Sequence, residues 1–158
     1  MKVAGIDLSS FFVDVVLVDQ ETGRVDWHRF PLGSDGDAFD RARQVRVVMP
    51  GPTSELWDDV LAIGIEDPAG RHGVIPLVRV QGAILACLPT STLVHAYKPA
   101  RWKFLAGLKG NASKEDVSVR SLLLGGMSLD PYWPQDAHDA HLIARAMQAD
   151  LDAQRQAA

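Results

Sequence analysis

The chain lacks the cysteines that a disulfide framework or a thiolate metal site would need. Its 158 residues include a single cysteine, Cys87, so an internal disulfide is impossible and a reducing compartment is expected. Cys87 lies in the apolar segment 82–88, which favours a buried, inert thiol over a nucleophile. The five histidines show no spacing typical of zinc ligands, so a structural zinc site is not expected either.

The chain also lacks the uninterrupted apolar runs of signal peptides and membrane spans. An acidic residue, Asp7, follows the amino terminus before an apolar core could form. The most apolar segment, residues 74–94, contains Arg79, Gln81 and two prolines, which predicts a buried helix and a turn rather than a span. We therefore expect a cytoplasmic protein that makes no membrane contact.

No internal repeat, low-complexity segment or linker divides the sequence. A chain of 158 residues that is 47% apolar and 23% charged predicts one globular domain over residues 1–158. Its polar carboxyl-terminal tail, after about residue 150, is expected to fray.

An excess of basic residues is missing as well. The formal charge of −4 argues against a protein that binds DNA by net charge alone. Residues 98–114 nevertheless contain five basic residues and no acidic one, and Trp102 and Phe104 alternate with them. This pattern favours a face that binds nucleic acid, although buried core positions are the more frequent role of such aromatic residues. The five basic residues are Lys98, Arg101, Lys103, Lys109 and Lys114.

The order of the predicted elements is three strands, a helix, a strand, a helix, a strand and further helices. Short turns join the first three strands, which predicts an antiparallel meander. The later alternation predicts a mixed sheet with helices on its faces. The strands are 3–6, 12–18, 24–30, 61–65 and 92–97, and the helices are 38–47, 73–88, two that begin near Pro99 and Ser113, and 136–154.

Acidic residues stand where predicted apolar strands end. Asp7 ends the first strand and Glu66 ends the fourth, while Asp136 and Asp139 share one face at the start of the last helix. Magnesium prefers hard oxygen ligands, and two ions about 3.5–4 Å apart can act on both oxygens exchanged at a phosphodiester. If the two strands are neighbours, these acids predict such a metal site.

Each of these acids also has a simpler interpretation. Asp136 could cap the last helix, and Asp139 could interact favourably with its dipole. Asp7 could lie in a turn, and Glu66 could be a solvated loop residue. These interpretations explain each acid separately but not the recurrence of acids at strand ends.

Two neighbouring polar residues leave alternatives open. Asp14, in the middle of the second strand, could face the site as a spare acid, but an exposed strand face is the simpler explanation. His138 lies between Asp136 and Asp139 and could either assist them or be a bystander.

The ordered set of motifs resembles the RuvC family of Holliday junction resolvases, particularly its shorter phage-type members. The resemblance runs from Gly5-Ile6-Asp7 through Ile65-Glu66 to the segment 135–140, and so covers nearly the whole chain. Between these motifs, residues 99–103 and 110–117 resemble the basic segment of the family.

The resemblance implies an RNase H-like α/β fold, a mixed five-stranded sheet with helices on both faces. Asp7, Glu66, Asp136 and Asp139 would then be the catalytic ligands of two Mg²⁺ ions, with Asp7 bridging both and Mn²⁺ able to substitute. It further implies a homodimer, formed through the helix 73–88, that makes paired symmetric nicks in branched DNA and leaves 5′-phosphates and 3′-hydroxyls.

The resemblance also implies which basic residues contact DNA. Lys103 and Lys114 would contact phosphates near the cut. Further candidate DNA contacts are Arg101, Lys109 and Arg71. Family members often carry an aromatic residue soon after the glutamate, but residues 67–72 contain none, and Leu8-Ser9 replaces the usual Pro-Gly. The sequence therefore predicts neither how a junction is opened nor a base preference.

Other functions remain open at this point. The same acids could serve a nuclease that acts on flaps, forks or structured RNA. Strand-end aspartates also occur in actin-like and sugar-kinase-like ATP-binding proteins, but these need a glycine-rich phosphate loop and usually a second domain. A non-catalytic junction-binding protein is the third alternative, which the presence of all four acids disfavours.

Overall fold

Five strands form one mixed sheet in the computed structural model, which describes residues 1–33, 35–68 and 74–157. The strands are β1 (Lys2–Leu8), β2 (Phe12–Asp19), β3 (Val25–Pro31), β4 (Val60–Glu66) and β5 (Leu93–Tyr97). Their order in the sheet is β3-β2-β1-β4-β5. The first three strands pair antiparallel, and β1, β4 and β5 pair parallel. The predicted meander and mixed sheet are therefore confirmed.

Five α-helices surround the sheet among the described residues. They are α1 (Ala38–Val48), α2 (Val74–Leu85), α3 (Pro99–Leu105), α4 (Lys114–Gly125) and α5 (Gln135–Ala157). Local sequence sets several of the boundaries: Pro99 is the first residue of α3, and Ser113 caps α4 in a reciprocal capping box with Asp116. α5 continues to Ala157, past the point where fraying of the tail was expected.

One face of the sheet packs against α1 and α2. Its core is apolar and includes Ile6 and Val15 from the sheet, Val45 from α1 and Ile84 from α2. Part of α2 remains outside this core, because Ile75, Val78 and Leu85 are exposed. Among the described residues, no helix combines the length and the apolar character needed to cross a bilayer.

The other face is covered by α3, α4 and α5. α5 lies directly on β1, because a side chain at Gly5 would collide with the backbone carbonyl of Ala140. Small residues on both elements, such as Ala144, permit this close approach. The first turns of α5 are thereby fixed over the carboxyl end of β1, where Asp7 lies.

Candidate active site

Four charged side chains form a row across neighbouring strands, on the face that α5 covers. Asp7 of β1 pairs across the ladder with Asp14 of β2, and Asp14 pairs with Arg29 of β3. Ile6 pairs with Ile65 of β4, so Glu66 at the next position lies beside Asp7. Directly opposed residues on adjacent strands project from the same face, so these side chains are neighbours.

The first turns of α5 add two more carboxylates above this row. A cavity of about 380 Å³ is lined by Asp7, Asp136 and Asp139, together with Lys114 and the β1–β2 turn. Glu66 does not line the cavity, but its charge is the strongest electrostatic influence on Asp7. The structure thus brings together the four acids that the sequence singled out, while their catalytic role stays a prediction.

Burial and repulsion from neighbouring acids make ionisation of Asp7 and Asp139 unfavourable. The pKa of Asp7 is raised well above its usual range, first by burial and then by the charges of Glu66, Asp139, Asp136 and Asp14. The pKa of Asp139 is also raised, mainly by burial, although the hydrogen bond from Gln135 acts in the opposite direction. A nearby cation would favour the charged carboxylates.

Two of the acids are held by hydrogen bonds from neutral side chains. The indole Nε1 of Trp102 donates to Glu66 Oε2 at 3.1 Å. The amide Nε2 of Gln135 donates to Asp139 Oδ1 at 2.8 Å, and Ser118 Oγ of α4 donates to Gln135 Oε1 at 2.9 Å. The buried position predicted for Trp102 is confirmed, but the same prediction is wrong for Phe104, which is 67% exposed.

The interpretation of Asp14 as an exposed strand residue is wrong. Its side chain is fully buried and accepts hydrogen bonds from Trp27 Nε1 and from two nitrogens of Arg29. The alternation of β2 did not reveal this, because helices cover both faces of the sheet and neither face of the strand is exposed. Asp14 is therefore part of the charged row.

The donor set fits a hard divalent cation. Carboxylate oxygens are the ligands that magnesium prefers, and the raised pKa of Asp7 identifies a desolvated carboxylate that a cation would stabilise. Within residues 1–33, 35–68 and 74–157, no three acidic, histidine or cysteine side chains are already arranged as a metal site.

The two lysines predicted to contact DNA near the cut lie close to the acids. Lys114 lines the acidic cavity at the start of α4. Lys103 donates to the carbonyl of Ala112 at 2.9 Å and thereby ties α3 to the loop before α4. Both positive charges act to lower the pKa of Asp139, so a basic rim adjoins the acidic cluster.

Arg101 and Lys109, two further predicted DNA contacts, do not line this cavity. Arg101 pairs with Asp150 at 3.5 Å. Because an α-helix rises about 1.5 Å per residue, Asp150 lies about 16 Å along α5 from Asp139. Lys109 lines a separate cavity formed by the α3–α4 loop. Arg71 lies outside the described residues.

His138 belongs to a buried polar network between α4 and α5. Arg145 Nε donates to His141 Nε2 at 3.1 Å, so this nitrogen carries no proton. The proton of the neutral His141 ring is therefore on Nδ1, which donates to Ser121 Oγ. Ser121 Oγ in turn donates to His138 Nδ1 at 3.0 Å. Burial lowers the pKa of His138, and burial with the charge of Arg145 lowers that of His141 to about 3. Both histidines are therefore neutral in this arrangement.

An exposed aromatic residue at the cavity rim was missed in the sequence. Phe11, in the β1–β2 turn, is 51% exposed and lines both the acidic cavity and an apolar cavity of about 350 Å³. Ser9 fixes this turn, because its Oγ accepts hydrogen bonds from the backbone nitrogens of Phe11 and Phe12. The sequence predicted only the strand 12–18 that follows Phe11, because a single residue in a turn shows no periodic pattern.

Solved structures of Thermus thermophilus RuvC share this fold. One has a TM-score of 0.72 at 20% sequence identity and covers 98% of this chain and 97% of that chain. Another, T. thermophilus RuvC in complex with a Holliday junction substrate, has a TM-score of 0.75 at 21% identity and covers 98% and 96%. No protein-family model and no curated protein matches the sequence. The predicted RNase H-like fold class is confirmed.

Proposed function

We propose that this protein is a magnesium-dependent endonuclease that resolves four-way DNA junctions by paired, symmetric phosphodiester hydrolysis. The observation that carries the proposal is the acidic cluster, in which Asp7, Glu66, Asp136 and Asp139 converge from two strands and a helix. Support also comes from the fold, which extends over the full length of a protein whose complex with a Holliday junction has been solved.

The four acids would hold two magnesium ions, and manganese would substitute. When bound, such ions lower the pKa of a water nucleophile and stabilise charge on the leaving 3′-oxygen. Trp102 and Gln135 hold the carboxylates of Glu66 and Asp139 in fixed positions. The partly enclosed cavity limits competing water around these groups, which strengthens their electrostatic effect.

Basic residues would bind the phosphate backbone beside the cut. Lys114 lies on the wall of the acidic cavity, and Lys103 of α3 donates a hydrogen bond to the adjoining loop. Most contacts of this kind fix the register of the protein on DNA and do not read sequence. We therefore expect selection of the branch by its geometry rather than by its bases.

A homodimer would supply two active sites for paired nicks. The residues Ile75, Val78 and Leu85 are exposed on α2 at spacings that place them along one side of the helix. On the adjoining α1, Phe39 and Val47 are also exposed. An isologous interface through this surface would relate the two sites by a two-fold axis, as a four-way junction requires.

A panel of synthetic DNA substrates tests this function. A four-way junction should be nicked at symmetric positions with Mg²⁺ and left intact with EDTA, while linear duplex should be cut poorly at the same salt concentration. Preferred cutting of flaps, forks or structured RNA would replace the junction with that substrate class. Absence of metal-dependent cutting on every substrate would contradict the proposal.

The Asp7→Asn variant tests the role of the acidic cluster. It should abolish cutting while leaving junction binding intact, because the amide retains the size of the carboxylate but loses its charge. Asp26→Asn is the matched control, since Asp26 is an exposed aspartate on β3 that pairs with Arg24. Undiminished cutting by the Asp7→Asn variant would exclude this mechanism.

A further inference from the structure

Asp14 and Arg29 form a buried ion pair at the end of the charged row. Arg29 Nε donates to Asp14 Oδ1 and Arg29 Nη2 donates to Asp14 Oδ2, both at 2.9 Å, which is the bidentate geometry of an arginine fork. Trp27 Nε1 adds a third hydrogen bond to Asp14 at 2.7 Å. The Asp14 side chain therefore has a full set of donors and fixes the guanidinium of Arg29.

The guanidinium of Arg29 reaches from this pair to the acidic cavity. Arg29 Nη2 lies 3.7 Å from Asp136 Oδ2. Its Cζ lies 4.4 Å from the centre of the Phe12 ring and 5.5 Å from that of Trp27, so the guanidinium contacts two aromatic side chains. Only 26% of the Arg29 side chain is exposed. A fixed cation thus lies beside one of the four acids.

The same strand also supports the start of α5 by a second contact. The rings of Trp27 and Trp133 lie 5.3 Å apart at a tilt of 45°. Trp133 lies two residues before the start of the helix that carries Asp136 and Asp139. Strand β3 therefore contacts Asp136 in the first turn of α5 through an ion pair, and the segment just before α5 through an aromatic pair.

Stability alone does not account for a buried pair at this place. Apolar residues of similar volume can often replace a buried ion pair without loss of stability. Here the pair also brings the charge of Asp14 next to Asp7, where it adds to the repulsion within the cluster. A role at the acidic cluster explains why the fold contains the Asp14–Arg29 pair.

We infer that Arg29, fixed by Asp14, is a positioning residue that orients the Asp136 carboxylate for metal binding. This inference rests on the proposed function, because it assigns a role to Arg29 at the same metal site. Arg29 contacts neither the substrate nor the metal in this role, and it acts only through Asp136.

A double variant separates positioning from charge. Asp14→Leu/Arg29→Met removes one negative and one positive charge, so the net charge around the acids is unchanged and no buried charge loses its partner. Arg29→Lys keeps a positive charge beside Asp14. The lysine ammonium group, however, lacks the planar guanidinium that binds both carboxylate oxygens and stacks on aromatic rings. The matched control is Arg24→Met/Asp26→Leu, which removes a solvent-accessible ion pair at the start of the same strand.

Mn²⁺ binding by calorimetry, without DNA, is the primary measurement. The double variant and Arg29→Lys should bind Mn²⁺ about 10–100-fold more weakly than the wild type, as expected when a support of a ligand is lost. The control should bind Mn²⁺ as the wild type does. Cleavage of a four-way junction should need correspondingly more Mg²⁺, and the melting temperature without metal should remain near that of the wild type.

The outcomes distinguish this inference from the proposed function. Wild-type Mn²⁺ affinity in the double variant, or in Arg29→Lys if the double variant does not fold, would overturn the positioning role alone. Equal weakening in the Arg24/Asp26 control would also overturn it, because the effect would then not be local. A wild-type protein that binds no Mn²⁺ would overturn the proposed function and this inference together.

Discussion

The two faces of the sheet bury different kinds of side chain, although the same strands supply both. Towards α1 and α2, the strands present an apolar core that includes Ile6, Val15 and Ile63. Towards α5, they present Asp7, Asp14 and Glu66 close to the apolar residues of that side. The first face holds the fold together by packing, while the second face carries carboxylates whose burial opposes folding in the absence of a cation.

Truncation of the core on the α1–α2 face should produce the largest change in stability. Ile63 is fully buried there, and Ile63→Ala should lower the free energy of unfolding by about 2–5 kcal/mol through lost burial and an internal cavity. Urea unfolding followed by circular dichroism measures this change. A loss much below this range would mean that the face repacks, and the contrast between the two faces would weaken.

Replacement of Trp102 should affect the α5 face by a smaller amount but with a functional consequence. Trp102→Phe keeps a smaller aromatic ring but loses the indole N–H that donates to Glu66, which should cost about 1–3 kcal/mol of stability. Mn²⁺ affinity should fall about 10–100-fold, as measured by calorimetry.

A tryptophan on the opposite face provides the control for that variant. Trp57 is buried in the α1–α2 core, and its Nε1 has no hydrogen-bond partner among the described residues. Trp57→Phe should therefore remove no hydrogen bond and leave Mn²⁺ affinity unchanged. If both variants weaken Mn²⁺ binding equally, the effect of Trp102 is not a local one on Glu66.

The sequence predicted the parts of this site that depend on local signals. Apolar runs that stop at Asp7 and Glu66 predicted where β1 and β4 end, and the last helix was predicted to begin at Asp136, next to its observed start at Gln135. The convergence of these residues then followed from the order of the strands. The predicted N-cap Ser113 is likewise confirmed, because capping depends on residues within one turn.

The partners of the acids could not be predicted in the same way. Trp102 lies 36 residues from Glu66 in the chain, and Arg29 lies 15 residues from Asp14. These pairs depend on the strand register and on how α3 packs, and no local pattern specifies either. Asp14 was misinterpreted for the same reason, since only the packing of α5 shows that its face of the sheet is covered.

The pH dependence of stability should differ in sign from that of an ordinary surface carboxylate. The pKa of Asp7 is raised in the folded state, so between the unfolded and folded values the folded protein binds more protons. The contribution of Asp7 to the stability of the metal-free protein should therefore fall as pH rises from about 4, the usual value for an unfolded aspartate, through the raised value. His138 and His141, whose pKa values are lowered, contribute in the opposite direction, so the effect of Asp7 is measured as the difference between the wild type and Asp7→Asn. Thermal unfolding across this range measures the effect.

Two comparisons sharpen this pH prediction. Asp7→Asn should flatten the fall, because the amide cannot ionise, and should leave the metal-free protein more stable than the wild type at neutral pH. Saturating Mn²⁺ should also remove the fall, since a bound cation favours the ionised carboxylates. A metal-free wild type whose stability relative to Asp7→Asn does not fall over this interval would show that the fold does not oppose ionisation of Asp7.

The smallest expected effect concerns the basic rim of the α5 face. Loss of one phosphate contact should reduce the slope of log affinity against log salt concentration by about one unit. Lys114→Ala should show this reduction in binding to a four-way junction, measured with EDTA so that no cutting occurs.

Lys109 lies on the separate cavity of the α3–α4 loop, so Lys109→Ala tests whether the bound DNA extends beyond the acidic cavity. An unchanged slope for Lys109→Ala would restrict the path to the acidic cavity, whereas an unchanged slope for Lys114→Ala would show that DNA does not approach the acids from this rim.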